Sequence, residues 1–135
     1  MKIKKLFSFI ISALLLAGCT SPRQDDAVIT YRQISMDEAV TIMSEQSGYI
    51  ILDVRRPDEF AAGHIPEAVN IDVRGENFES QAQSTLDKER PVAVYCRSGA
   101  RSKTAAHALA AMGYRVYELN KGFMNWNGPR TEPTE

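Results

Sequence analysis

The chain has 135 residues and a nearly balanced charge, with 16 Lys and Arg against 17 Asp and Glu. That length allows one domain, and the balance argues against a protein that holds nucleic acid through bulk positive charge. Two cysteines exclude a disulfide-dense scaffold and a four-thiolate zinc site.

The N-terminal segment 1–18 is predicted to be a signal rather than part of the fold. Lysines at its start precede an apolar run over 6–18. As a helix, that run is about 20 Å long, too short for a hydrocarbon core of about 30 Å. A basic start, a short apolar run and small residues before Cys19 are typical of a secretory signal peptide.

The end of this segment, Leu16-Ala17-Gly18-Cys19, resembles the lipobox of bacterial lipoproteins. The resemblance implies that Cys19 receives lipid and becomes the N-terminus, which would anchor the protein to a membrane of the cell envelope. The domain would then face the periplasm or the exterior. Thr20 favours the outer membrane in a Gram-negative cell. An ordinary signal peptide with an incidental cysteine, or an uncleaved anchor, is the alternative.

Removing the signal changes the charge. Residues 1–18 hold three lysines and no acidic residue, so the remaining chain has a net charge of −4. Residues 19–30 are mostly polar and are predicted to be a lipidated tether. The folded domain is predicted over 31–128, followed by a C-terminal tail over 129–135.

Helices and strands are predicted to alternate through the domain. Ser35 and Glu38 form a capping-box pattern at the start of a helix that ends near Gly48. Apolar runs and helical spacings predict strands over 49–54, 68–71, 91–95 and 115–119, and helices over 57–63, 77–86 and 102–112. This alternation predicts an α/β domain with a mainly parallel central sheet flanked by helices.

Cys96 directly follows the strand predicted over 91–95. Chemistry in parallel α/β sheets lies outside the carboxyl ends of the strands, so this cysteine is a candidate nucleophile. Backbone N–H groups of the loop that follows can point at one spot, and Gly99 permits a tight cradle. Arg97, Arg101 and Lys103 add positive charge to that of the N–H groups and the helix dipole, and together they predict a lowered thiol pKa. The alternative is an inert buried cysteine.

The loop Cys96-Arg97-Ser98-Gly99-Ala100-Arg101-Ser102 resembles the active-site loop of single-domain rhodanese sulfurtransferases. Leu52-Asp53-Val54-Arg55 resembles the strand motif of that family. Glu59-Phe60, followed by Gly63-His64-Ile65-Pro66 and the residues up to Ile71, resembles the next motif. The resemblance covers about residues 34–126. It fails at Glu67 and at Lys121, because the family usually has glycine at both positions.

The resemblance implies a three-layer rhodanese-like fold and persulfide chemistry. The Cys96 thiolate would take sulfur from a donor such as thiosulfate and release sulfite. The residues of the loop 96–102 would hold the terminal sulfur through their N–H groups. Cyanide, a small thiol or a protein thiol would accept the sulfur. Neither a metal nor an organic cofactor is needed.

Asp53 and Arg55 are candidate supporting residues at the same edge of the sheet. Asp53 is a candidate hydrogen-bond partner of the active loop, and Arg55 a candidate partner of Asp58 or Glu59. The alternative for both is a structural ion pair at a strand end. His64 lies in a turn and is predicted to be structural rather than catalytic.

Two other functions compete with the sulfurtransferase interpretation. One is a cysteine phosphatase or arsenate reductase, because one class of cell-cycle phosphatases shares the rhodanese fold, but those enzymes have five residues between Cys and Arg. Here four separate Cys96 from Arg101, which makes a smaller cradle. A sulfur carrier or protein-docking module with little turnover would keep the same cysteine and loop, so it stays open.

Overall fold

Five parallel strands form a sheet at the centre of the computed structural model, which describes residues 30–45 and 48–133. The strands lie in the order β1-β5-β4-β2-β3 and are β1 (Arg32–Ile34), β2 (Ile50–Asp53), β3 (Val69–Asn70), β4 (Val92–Tyr95) and β5 (Val116–Leu119). The helices are α1 (Met36–Ser44), α2 (Pro57–Ala61), α3 (Phe78–Thr85) and α4 (Ala100–Ala111), with a 3-10 helix over Phe123–Asn125. The predicted α/β class is confirmed.

Both faces of the sheet are covered, so β2 and β4 are buried along their whole length. Leu52 and Val94 pack on the side of α3 and α4. Ile51 and Ala93 face the other side, where α1 and the C-terminal aromatic residues pack. The sheet therefore has a hydrophobic core on each face, in three layers.

The first strand was not predicted from the sequence. β1 has three residues, of which only Ile34 is buried, so it carries no periodic pattern. It is defined by its parallel pairing with β5, far along the chain, where Ile34 lies opposite Leu119. The other elements match the predictions with shifted ends, and α4 begins at Ala100 rather than Ser102.

Several predictions about the N-terminus lie outside the described residues. They include the signal peptide over 1–18, the lipidation of Cys19 and nearly all of the tether. No helix in the described part of the chain is long and apolar enough to cross a membrane. At the other end, Pro129 and Thr131 of the predicted tail hydrogen-bond back to Trp126 and His64.

Glu67, where the resembling family has glycine, adopts a left-handed backbone with φ of 68°. That conformation costs a non-glycine residue about 1–2 kcal/mol. Glycine avoids this strain, but it loses more conformational entropy on folding, which offsets part of the gain. We therefore expect Glu67→Gly to raise the free energy of unfolding by about 0.5–1 kcal/mol, measured by urea denaturation. Asn77→Gly is a matched control with a smaller gain, because Asn77 (φ 63°) tolerates this region better. Equal stability of Glu67→Gly and wild type would contradict the prediction.

Candidate active site

The loop after β4 lies at the carboxyl edge of the sheet. Because the strands are parallel, the ends of β2, β4 and β5 meet at this edge. Gly99 is the N-cap residue of α4 with φ of 110°, and a Cβ there would come closer than 3.0 Å to the Asn120 carbonyl oxygen. Gly122, in the same segment as Asn120, lies against the Arg97 carbonyl of the loop. The loop is thus held between α4 and the segment after β5, at places where only glycine fits.

The Cys96 thiol is free and points into this loop, with 1% of the residue exposed. The Gly99 backbone N–H donates to its Sγ at 3.0 Å, and the Ser102 Oγ lies 3.4 Å from Sγ. The backbone of the loop is fixed in turn, because the Phe123 N–H donates to the Cys96 carbonyl at 2.7 Å. The sulfur therefore sits in a preformed cradle of hydrogen-bond donors.

Hydrogen bonds give Cys96 a lowered pKa. Burial is the largest single influence and raises the pKa of this thiol. The Ser102 hydroxyl and the backbone N–H groups of Ser102, Gly99 and Ser98 outweigh burial, so the net shift in pKa is downward. The predicted direction and the predicted contribution of the loop N–H groups are confirmed, whereas the positive charge of nearby Arg and Lys side chains is not a main cause.

Arg101 forms an ion pair with Glu59. Its two terminal nitrogens donate to the two carboxylate oxygens of Glu59, at 2.6 and 3.0 Å, and both side chains are mostly buried. This bidentate contact ties the start of α4 to α2 and lowers the pKa of Glu59. Arg101 therefore braces the loop.

The predicted partner of Arg55 is wrong. Arg55 pairs with Asp53: its Nε and a terminal nitrogen donate to the two carboxylate oxygens at 3.0 and 2.6 Å. Arg55 also donates to the Gly63 carbonyl. Its guanidinium lies 4.5 Å from the centre of the Phe123 ring. Asp58 is bound by the neighbouring Arg56 instead. Since Arg55 uses both oxygens of Asp53, this pair supports the sheet edge and does not bond the active loop.

A cleft of about 470 Å³ opens beside the loop. It is lined by Arg56, Glu59, Arg74, Arg97, Ser98, Ala100 and Arg101. Of its four guanidinium groups, that of Arg56 pairs with Asp58 and that of Arg101 with Glu59. Arg74 and Arg97 add further positive charge, which favours an anionic ligand. Cys96 itself is not among the residues that line the cleft.

Two residues near the thiol were not singled out from the sequence. Glu118 of β5 is fully buried and accepts from the Ser102 hydroxyl at 2.7 Å. Asn120 accepts from Lys103 Nζ at 2.9 Å, which fixes the lysine over the loop. A signal for Glu118 did exist, because it is an acidic residue inside a predicted buried strand.

His64 has a structural environment, as predicted. Its ring stacks on Phe60 at 3.6 Å between centroids, and its Nδ1 lies 2.8 Å from the Phe60 carbonyl oxygen. Its backbone binds Thr131. Within 30–45 and 48–133, no group of three His, Cys, Asp or Glu side chains could hold a metal ion.

Comparison with known proteins agrees with this architecture. The family model of the rhodanese-like domain matches residues 35–129. Thiosulfate sulfurtransferase 18 of Arabidopsis thaliana is 36% identical over 105 residues, which cover 69% of this chain and 76% of that protein. Thiosulfate sulfurtransferase GlpE of Coxiella burnetii is 35% identical over 98 residues, which cover 71% and 87%.

Solved structures show the same fold. The rhodanese-like domain of an Anabaena protein superposes with a TM-score of 0.65 at 25% identity, covering 76% of this chain and 80% of that domain. A rhodanese-related protein of Thermoplasma volcanium gives a TM-score of 0.62 at 26% identity, covering 75% and 98%. With the family model matched over nearly the whole described domain, this chain belongs to the rhodanese-like domain family.

Proposed function

We propose that this protein is a sulfurtransferase that carries a sulfane sulfur as a persulfide on Cys96, with a donor such as thiosulfate. The observation that carries the proposal is the buried thiol, whose Sγ receives the Gly99 N–H at 3.0 Å and whose pKa is lowered. Such a thiol is a nucleophile near neutral pH. The same donors would stabilise the charge of a persulfide formed on that sulfur.

The proposed reaction has two displacements. The Cys96 thiolate attacks the outer sulfur of thiosulfate, a new S–S bond forms, and sulfite leaves with the electron pair of the broken S–S bond. A thiolate or cyanide then attacks the terminal sulfur of the persulfide, and Cys96 leaves as a thiolate. Sulfur is transferred with no external oxidant or reductant, and the order of events predicts ping-pong kinetics.

The arginine-lined cleft supports an anionic donor. Arg97 and Arg74 both line this cleft and are exposed. Both side chains can attract a dianion such as thiosulfate, whereas Arg101 is already neutralised by Glu59. The short loop favours a sulfur atom over a phosphate, since Gly99 already donates to Sγ from three residues away.

Intact-mass measurement tests this function. After incubation with thiosulfate, the protein is expected to gain one sulfur, about 32 Da, and to lose it when cyanide is added. Continued release of sulfite with both substrates present would indicate an enzyme. Transfer of a single equivalent, with no steady state for any small thiol acceptor, would favour a sulfur carrier. An unchanged mass with several sulfane donors would contradict the proposal.

We also propose that lipid on Cys19 anchors the protein to a membrane of the cell envelope, on the basis of the sequence Leu16-Ala17-Gly18-Cys19. In a bacterial host, Cys19→Ala is expected to move most of the protein from the membrane fraction to the soluble fraction or to block its processing. Immunoblots of separated fractions measure this change. Cys96→Ser is the matched control and is expected to stay with the membrane. Unchanged fractionation of Cys19→Ala would contradict lipid anchoring.

A further inference from the structure

Glu118 is a fully buried carboxyl group that is only partly satisfied. Its Oε1 accepts from the Ser102 hydroxyl at 2.7 Å, and Lys103 Nζ lies 3.7 Å from the same oxygen. Its Oε2 has no hydrogen-bond partner among the described residues. Asp53, the other buried carboxyl group in the described part of the chain, differs because Arg55 binds both of its oxygens. An unpartnered oxygen on a buried carboxylate lowers the stability of the fold. A functional role would explain why an acidic residue lies at this position.

The Ser102 hydroxyl connects Glu118 to the nucleophile. Its Oγ lies 2.7 Å from Glu118 Oε1, 3.4 Å from Cys96 Sγ and 3.1 Å from the Gly99 carbonyl oxygen. A hydroxyl has one proton, so it cannot donate to a carboxylate and to a thiolate at the same time. When it donates to Glu118, it can only accept a hydrogen bond from the Cys96 S–H group. To donate to a Cys96 thiolate while keeping its contact with Glu118, it needs a proton on that carboxyl group.

We propose that Glu118 holds the proton of the Cys96 thiol, received through Ser102, while the sulfur is a thiolate. The S–H bond breaks as that proton binds Ser102 Oγ, and the original Oγ proton moves to Glu118 Oε1. The thiol and carboxylate become a thiolate and a carboxylic acid, so the net charge of the buried site is unchanged. Glu118 is thus a positioning residue that acts through Ser102. This inference rests on the proposed role of Cys96 as the nucleophile.

Opposing contacts divide the proton between the two groups. The Gly99 N–H stabilises the thiolate, whereas the ammonium group of Lys103 stabilises the carboxylate. The strands beside Glu118 add no further charge at its register positions, where Val94 of β4 and Gln33 of β1 lie. On α4, the residues that reach its carboxyl group are Ser102 and Lys103. Each of the two anionic forms, the thiolate and the carboxylate, therefore has a stabilising group of its own.

A shared proton produces a two-step titration of the sulfur. At low pH the thiol and the carboxyl group are both protonated. Loss of the first proton leaves one proton shared between them, so part of the sulfur is already thiolate. Loss of the second proton completes the conversion. A Glu118 with only a structural role would leave a single step.

The rate of alkylation of Cys96 by iodoacetamide, followed by mass spectrometry between about pH 4 and pH 9, reports the thiolate. The protein used for this measurement is the full chain with the substitution Cys19→Ala, so that Cys96 is its only cysteine. The wild-type site is expected to give two steps. Glu118→Gln, which keeps the size and the hydrogen bond but cannot take up the proton, is expected to give one. Glu79→Gln, the same change at an exposed position of α3, is expected to keep both steps. A single step in the wild-type site, or two steps in Glu118→Gln, would overturn the inference.

Ser102→Ala removes the hydroxyl group that connects Cys96 to Glu118 in the proposed proton transfer. Alanine is favoured in a helix, so this variant provides the test if Glu118→Gln does not fold. It is expected to titrate in one step, with the alkylation rate at neutral pH reduced about tenfold by loss of a hydrogen bond to a charged sulfur. An unchanged profile would overturn the inference. Alkylation requires no sulfur donor, so failure to form a persulfide and failure of the relay are separate results.

Discussion

Cys96→Ser is expected to abolish sulfur transfer. A serine hydroxyl is far less acidic than a thiol, and an oxygen cannot form the persulfide bond on which the second displacement depends. Sulfite release from thiosulfate is expected to fall to the rate of a protein-free blank, and the mass of the protein to stay unchanged. The fold is expected to survive, because the loop N–H groups can donate to the serine oxygen.

The control for this variant is Cys19→Ala, which removes the other cysteine of the chain. It is expected to gain one sulfur as the wild type does, because only Cys96 lies in the loop after β4. Thermal unfolding of both variants checks that the fold is intact. Sulfur found on the Cys96→Ser protein would assign the chemistry to a different residue.

Among the substitutions considered for their effect on folding, Gly122→Ala is expected to lower the free energy of unfolding most. Gly122 has φ of 72°, and a Cβ would come closer than 3.0 Å to the carbonyl oxygen of Arg97 and the backbone nitrogen of Ser98. These are backbone atoms, so no side-chain rotation can relieve the collision. Left-handed strain and overpacking together are expected to lower the free energy of unfolding by about 3 kcal/mol, measured by urea denaturation. The displaced loop is also expected to slow alkylation of Cys96, because its N–H donors lose their alignment.

Gly113→Ala separates the two causes. Gly113 has φ of 97°, but nothing lies within 4 Å of the Cβ that alanine would add. Its expected loss is therefore about 1 kcal/mol from backbone strain alone, with Cys96 reactivity unchanged. Equal losses at the two glycines would show that contact with the active loop does not determine the effect at Gly122.

The elements with strong local patterns could be predicted from the sequence. β4 was predicted because its continuous apolar run is typical of a strand buried on both faces. Cys96 could be placed at the sheet edge because it directly follows that run. β1 could not be predicted, since three residues with one buried side chain acquire their structure from β5. Its existence depends on pairing with residues more than 80 positions away, which no local pattern records.

The side-chain partners at the site were harder to predict than its backbone. Arg55 was expected to pair with a carboxylate of α2. It instead binds both oxygens of Asp53, which lies only two residues before it at the end of β2. Arg101 was expected to act as a charge beside the sulfur, whereas Glu59 takes both of its terminal nitrogens. In both cases a nearby carboxylate competes for the guanidinium, and sequence spacing alone does not decide which pair forms.

The contact between the active loop and the 3-10 helix has a consequence for the order of synthesis. The N–H groups of Phe123 and Met124 donate to the carbonyls of Cys96 and Arg97, so the cradle is held by residues made after it. A ribosome must therefore add more than 25 residues beyond Cys96 before the thiol reaches its final environment. Until then the cysteine is an ordinary thiol on a growing chain, and its reactivity appears only when the last part of the domain has folded onto it.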